Sequence, residues 1–207
     1  MISARKSIPG TTGASEFVST YYEYDVKTGR RSQITSSAGA VRGISFDKDG
    51  DPQFGSGYDA GKDEYLTYYR EKGARKWEII HRSHRDSFED WRPLGLDPEA
   101  PGNLLVLGNN GDDKTGLWSY NPKTKKHEEL IYRRSDVDIF VRSHTNRFTN
   151  DDEITAVSYR DGRKTKYVWF NGEEEALYNQ LQGLIPNSDR LIISCLLYTS
   201  DAADDSL

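Results

Sequence analysis

An aromatic hairpin spelled twice limits what this chain can fold into. Tyr22-Glu23-Tyr24-Asp25-Val26-Lys27-Thr28-Gly29-Arg30 returns as Trp118-Ser119-Tyr120-Asn121-Pro122-Lys123-Thr124-Lys125-Lys126. Each copy alternates aromatic and polar residues, as a half-buried strand does. Each then meets Asp or Asn, a short polar turn with Thr at a matched position, and a basic exit. Thr28 and Thr124 lie 96 residues apart (124 − 28), or twice 48. A second signature falls at a similar interval. Gly43-Ile44-Ser45-Phe46-Asp47-Lys48-Asp49-Gly50 is echoed by Pro93-Leu94-Gly95-Leu96-Asp97-Pro98-Glu99-Ala100, with Phe46 and Leu96 separated by 50 (96 − 46). A unit of about 40–50 residues made of short strands is the repeat length of a β-propeller blade. The expected fold is therefore all-β: a partial β-propeller of about three to four blades of antiparallel strands, with one inserted helix near residues 172–183.

Alternation places the strands. Phe17–Tyr24, Arg30–Ile34, Val41–Phe46 and Pro52–Tyr58 come first, with hairpins closing at Asp25–Gly29 and Asp47–Asp51. The second of these turns superficially resembles a calcium loop, but the spacing is wrong and no Glu stands at its twelfth position. Glu64–Tyr69 and Trp77–His81 pair around a charged tip, Arg70–Lys76, which reads as a solvated hairpin. Trp91–Leu96 follows. Asn103–Leu107 is the most apolar segment to that point and belongs in the middle of its sheet. Leu117–Tyr120 with His127–Tyr132, then Val137–Val141, Ile154–Tyr159 and Lys166–Phe170 follow, and Asp189–Ser194 begins a further strand with nothing downstream to pair with. Met1–Ser15 carries little pattern and reads as a loop. Asn171 reads as the N-cap of a helix, with Glu174 three residues on, and Glu173 to Glu175 fill the first turn. Leu177, Tyr178, Leu181, Leu184 and Ile185 form the apolar side of that helix, which is expected to pack on a sheet edge or a neighbouring domain, and Gly183 or Pro186 ends it. The domain reading is residues 1–16 as a loop or truncated segment, 17–194 as the partial propeller, and 195–207 as a non-native tail.

The totals exclude more than they assign. The formal net charge is −5, so no basic excess calls for nucleic acid. No run of about 18 apolar residues offers a membrane span. Cys195 is the single cysteine, which excludes an internal disulfide and a cysteine-cluster metal site. His81-Arg82-Ser83-His84-Arg85-Asp86 holds the residue types of a Ser–His–Asp triad. Triad members usually sit on different elements, and three in one short segment do not converge through the right atoms. No Gly-x-Ser-x-Gly elbow occurs. No catalytic, cofactor-binding or metal residue is therefore assigned, and no cofactor is expected.

The last residues, Cys195-Leu196-Leu197-Tyr198-Thr199-Ser200-Asp201-Ala202-Ala203-Asp204-Asp205-Ser206-Leu207, break the pattern. They resemble the reading-frame translation of a transposase-type sequencing adapter, a contaminant of assembled environmental DNA. The natural part of this sequence is then expected to stop near Ser194, with whatever followed it lost.

The Tyr-rich hairpin, the Gly43–Gly50 stretch and Trp91-Arg92-Pro93-Leu94-Gly95 occur in a telling order. The Leu104–Asn110 strand, the Leu117–Asn121 hairpin, the Ile154–Gly162 strand-turn and the Asn171–Pro186 helix follow. This order resembles the β-propeller domain of the prolyl oligopeptidase family of serine peptidases, which includes dipeptidyl and acylaminoacyl peptidases. The resemblance runs from Phe17 to Ser194, and it implies that the first half of a propeller is missing upstream of Phe17. In that family the propeller caps a C-terminal α/β-hydrolase domain that carries the Ser, Asp, His triad, and it admits short peptides. The resemblance implies a non-catalytic, substrate-gating part of a serine peptidase, with the missing hydrolase domain as its partner and a peptide as the parent's substrate. Glu173, Glu174 and Glu175 do not match the family's amine-binding acids residue by residue, and no role is carried over to them. A binding-only propeller of the kind found in periplasmic assembly factors is the alternative, and a free-standing small β domain is a third reading. The compartment stays open between the cytoplasm and periplasm of a bacterium.

Overall fold

A computed structural model describes residues 2–9, 15–36, 41–146 and 151–185. The first sheet takes β1 (Ile2–Pro9), β2 (Ser15–Tyr24) and β3 (Arg31–Ser36) in that order. The second takes β4 (Arg42–Phe46), β5 (Pro52–Asp59), β6 (Glu64–Tyr69) and β7 (Glu78–His84). The third takes β8 (Trp91–Leu96), β9 (Leu104–Gly108), β10 (Gly116–Asn121) and β11 (Lys126–Arg133). The fourth takes β12 (Ile139–Asn146), β13 (Asp151–Asp161) and β14 (Lys164–Trp169), and α1 (Gly172–Leu184) follows it. The chain divides into two units, residues 1–136 with 145–152, and residues 137–144 with 153–207.

The partial propeller expected from the repeat period is not what forms. Among the described residues the strands make four separate small antiparallel sheets, none of them closed or curled. The physical reason lies in what a period measures. About 40–50 residues is the chain needed to run a short meander and return. That length is indifferent to how one meander is turned against the next, which side-chain packing between the faces decides.

Met1–Ser15, read as a loop, is also corrected. Ile2–Pro9 pairs antiparallel with Ser15–Tyr24, from Ile2 opposite Tyr22 to Pro9 opposite Ser15. It is an edge strand, where Pro9 is tolerated at the end because no ladder donor is required of it. Backbone pairing to a neighbour overrides a weak local pattern. The expected strand over Asp189–Ser194 and the tail at 195–207 lie outside the described residues.

The repeated hairpins do share one geometry. The Asp25 carboxylate accepts from the amides of Lys27 (2.9 Å) and Thr28 (3.3 Å). The Asn121 side chain accepts in the same way from Lys123 (3.0 Å) and Thr124 (3.1 Å). The second signature is matched as well. Asp47 Oδ1 accepts from the amides of Asp49 and Asp51, and Asp97 Oδ1 from those of Glu99 and Ala100. These are Asx turns, in which a short acceptor side chain folds over the amides that follow it.

Among the described residues, two clusters form the core of the first unit. Val41, Ile44, Leu66 and Tyr68 are buried with Tyr21, Phe46, Trp77 and Ile79 packed on them, and the Tyr21 and Phe46 rings meet edge-on at 5.1 Å. Phe54, Ile80, Leu104, Val106 and Tyr120 form the other, joining the second sheet to the third. All five residues of β9 are buried, as its apolar run and interior place in the sheet require. Tyr120 keeps its hydroxyl satisfied there by donating to the Ile80 carbonyl at 2.6 Å. Gly108 ends β9 against the chain before β8. A Cβ at this position would stand 2.8 Å from the Asp90 carbonyl oxygen and 3.5 Å from Trp91 Cα. Neither backbone atom can swing away, so Gly108→Ala is expected to cost about 1–3 kcal/mol in a urea unfolding series.

Candidate functional site

Two arrangements concentrate chemistry-bearing side chains, one in each unit. In the first unit a β-bulge creates the arrangement. Thr67 faces His81 while Tyr68 faces Ile79, so Ile80 is the extra residue on β7. The bulge turns both Ile80 and His81 toward the third sheet, the re-aiming that bulges produce. His81 stacks on Trp91 at 4.3 Å with the rings nearly parallel, and Trp91 meets Tyr120 edge-on at 5.1 Å. His127 on β11 lies across from Tyr120, with ring centroids 5.2 Å apart.

Burial opposes charge on both imidazoles. Burial, and then the neighbouring His127, push His81 down to about 4. Burial also lowers His127 and raises Glu89. Burial, with the Glu89 charge added, pushes Tyr120 up to about 12. Glu89 Oε1 comes within 3.3 Å of His81 Nε2 but out of line, and Nε2 of both histidines is enclosed without a hydrogen-bond partner. The rest of the His81–Asp86 segment goes elsewhere. His84 Nδ1 accepts from the Asp86 amide at 3.2 Å, and Ser87 Oγ donates to the His84 carbonyl at 2.7 Å. The fold does not gather these residues into a catalytic group.

The second unit carries a pocket of about 550 Å³ on the fourth sheet, lined chiefly by Phe140, Arg142, Ser158, Arg160, Thr165 and Tyr167. Ser158 stands opposite Tyr167, and Arg160 opposite Thr165, which puts these four side chains on one face. Trp169, opposite Ala156, continues that face toward α1. Arg142 is anchored on three sides. Its Nε donates to Glu174 Oε1 at 2.9 Å, and its guanidinium lies 5.7 Å from the Tyr167 ring centre and 5.5 Å from that of Trp169. The pair is largely enclosed, with 20% of the Arg142 side chain and 14% of the Glu174 side chain exposed. Arg160 Nη1 donates to Thr165 Oγ1 at 3.1 Å. Past the pocket, the β13–β14 hairpin exposes Arg163, Lys164 and Lys166 beside Asp161.

The helix supplies Glu174 to this arrangement. Asn171 caps it by accepting from the amides of Glu173 and Glu174, both at 3.1 Å. It runs through Gly183 and ends at Leu184, just before the Ile185-Pro186 step. The residue before a proline is disfavoured in helical geometry, so Pro186 and not Gly183 sets the stop. The expected packing of the leucine stripe does not occur among the described residues. Leu177 is 45% exposed and Leu184 75% exposed, and no residue of the helix is buried. Tyr178 makes the contact instead, 5.0 Å from Tyr167 and 5.2 Å from Trp169.

Among the described residues, no three His, Cys, Asp or Glu side chains come together to hold a metal ion. No described helix is long and apolar enough to cross a membrane. No family model matches the chain, and no curated protein or solved structure matches it either. The substrate-gating role in a serine peptidase rested on a propeller, as did the binding-only alternative. With separate open sheets in place of a propeller, both are withdrawn. The Arg142 pocket is hard to see in the sequence because Arg160 begins a stretch that reads as a turn. The alternation of Phe140 with Arg142, Ser158 with Arg160, and Thr165 with Tyr167 is the signal that marks it.

Proposed function

We propose that this chain is a non-catalytic binding module. Its fourth sheet holds a small ligand that carries an oxyanion, carboxylate or phosphate, on a flat apolar body. The observation that supports this reading is the pocket of about 550 Å³ in which Arg142 and Arg160 stand among Phe140, Tyr167, Ser158 and Thr165. That volume lies in the range of small-molecule sites. Guanidinium groups recognise planar oxyanions through paired N–H donors. The aromatic rings offer a face for the apolar part, and the hydroxyls add directional contacts.

Calorimetric titration with benzoate and with phenyl phosphate tests the reading, with benzyl alcohol as the uncharged control. At least one anion is expected to bind, benzyl alcohol much less, and the probe is recovered unchanged. Arg142→Ala is expected to weaken binding about 10- to 100-fold, as the loss of a charge-assisted hydrogen bond does. Equal binding of benzyl alcohol, or no binding of either anion, would remove the proposal.

A further inference from the structure

We infer that helix α1 completes this pocket from outside it, so that docking of the helix and binding of the anion are one linked equilibrium. The inference rests on the pocket reading above and adds a positioning residue, Glu174, and a support, Tyr178. Neither lines the pocket.

The geometry runs in one direction. Arg142 lines the pocket, while its Nε edge is taken by Glu174 on the helix. A guanidinium has five donors in a fixed plane, so an acceptor on one edge fixes where the others point. The faces of Tyr167 and Trp169 restrict the remaining rotation. An arginine held in this way loses little freedom when an anion arrives, which is how pre-organisation raises affinity. A carboxylate so enclosed is also unsuited to being displaced. Breaking an enclosed pair strands a charge, whereas a ligand that uses the outer edge keeps the pair.

Among the described residues the helix is held lightly. No residue of it is buried among those described, and Tyr178 is the ring it lays on the sheet. Segments with few buried contacts open at low free energy. Undocking carries Glu174 into water with the helix, so unlike displacement it leaves no enclosed carboxylate unpaired, and it leaves Arg142 free to rotate, so only the docked fraction binds well. Affinity then scales with that fraction, and the anion in turn favours docking by the same factor.

The test uses the full chain, with benzoate and phenyl phosphate as probes, read by calorimetry and by hydrogen exchange of the 173–184 amides. Saturating probe is expected to slow helix exchange at least fivefold. Glu174→Ala is expected to weaken binding tenfold or more. Glu174→Gln, which keeps an acceptor for Arg142 Nε, stays within about threefold of the wild type. Tyr178→Ala is expected to weaken binding fivefold or more although it touches no ligand. Glu175→Gln, an exposed neighbour, serves as the charge control and changes affinity less than twofold. If the wild type binds and Tyr178→Ala binds equally well, the linkage is wrong and the pocket reading stands. Tighter binding by Glu174→Ala would show displacement in place of positioning and overturn the inference. Failure of the wild type to bind either probe removes both.

Discussion

Acidification from neutrality to about pH 4 is expected to remove about 3 kcal/mol of stability through His81 alone. His81 titrates near 6.5 when free and near 4 in the fold, where burial and then His127 oppose its charge. Between those values the unfolded chain binds a proton that the folded chain refuses. Stability is therefore complete above about pH 6.5, falls as the pH drops through the window, and levels off for this group below about 4. His127, also lowered by burial, acts in the same direction. Glu89 acts against them, because its raised carboxyl accepts a proton more readily in the fold than outside it. Urea unfolding at half-unit pH steps reads the sum. His81→Phe keeps a ring to stack on Trp91 and is expected to flatten the curve between pH 6.5 and 4. Glu89→Gln is expected to steepen it. A His81→Phe variant with the wild-type pH profile would show that the enclosure of His81 by the second and third sheets does not control its charge.

Leu104→Ala is expected to cost about 2–5 kcal/mol, the range for emptying a fully buried leucine site. Leu104 has no exposed surface and packs with Phe54, Ile80, Val106 and Tyr120 across the two sheets. The site has little room to collapse, since β9 is flanked by β8 and β10 and buried along its length. Leu177→Ala on α1 is the internal comparison. That side chain is 45% exposed, and its loss is expected to stay within about 0.5 kcal/mol. Denaturant midpoints at constant slope measure both. Equal costs at the two sites would mean that the apolar stripe of the helix has a partner the described residues do not show.

Most strands and the two repeated turn signatures are legible in the sequence. Asp25, Asn121, Asp47 and Asp97 each close the turn that their neighbours announce. Such turns depend on a side chain and the amides two to four positions on, so the information is local. The β9 segment is legible for a related reason, since an unbroken apolar run fits only an interior strand. The cap on α1 is legible, and so is its length. What α1 touches is not: the leucines suggest a packed face, but the sheet presents Tyr167 and Trp169, which Tyr178 meets.

By itself, then, the sequence determined an antiparallel all-β chain of short meanders with one capped helix, because alternation and turn chemistry act over a few residues. The tertiary structure alone decided the rest. It set four separate sheets where a blade-sized repeat suggested a propeller, since repeat length carries no information about the angle between neighbouring faces. It aimed His81 at Trp91 through a bulge at Ile80, which shifts side-chain direction by one residue in a way no alternation records. It also brought Arg142 to Glu174 across 32 positions of chain. A contact of that kind exists only once a sheet and a helix have packed, because its geometry is set by residues 32 positions apart and not by either residue's neighbours in sequence.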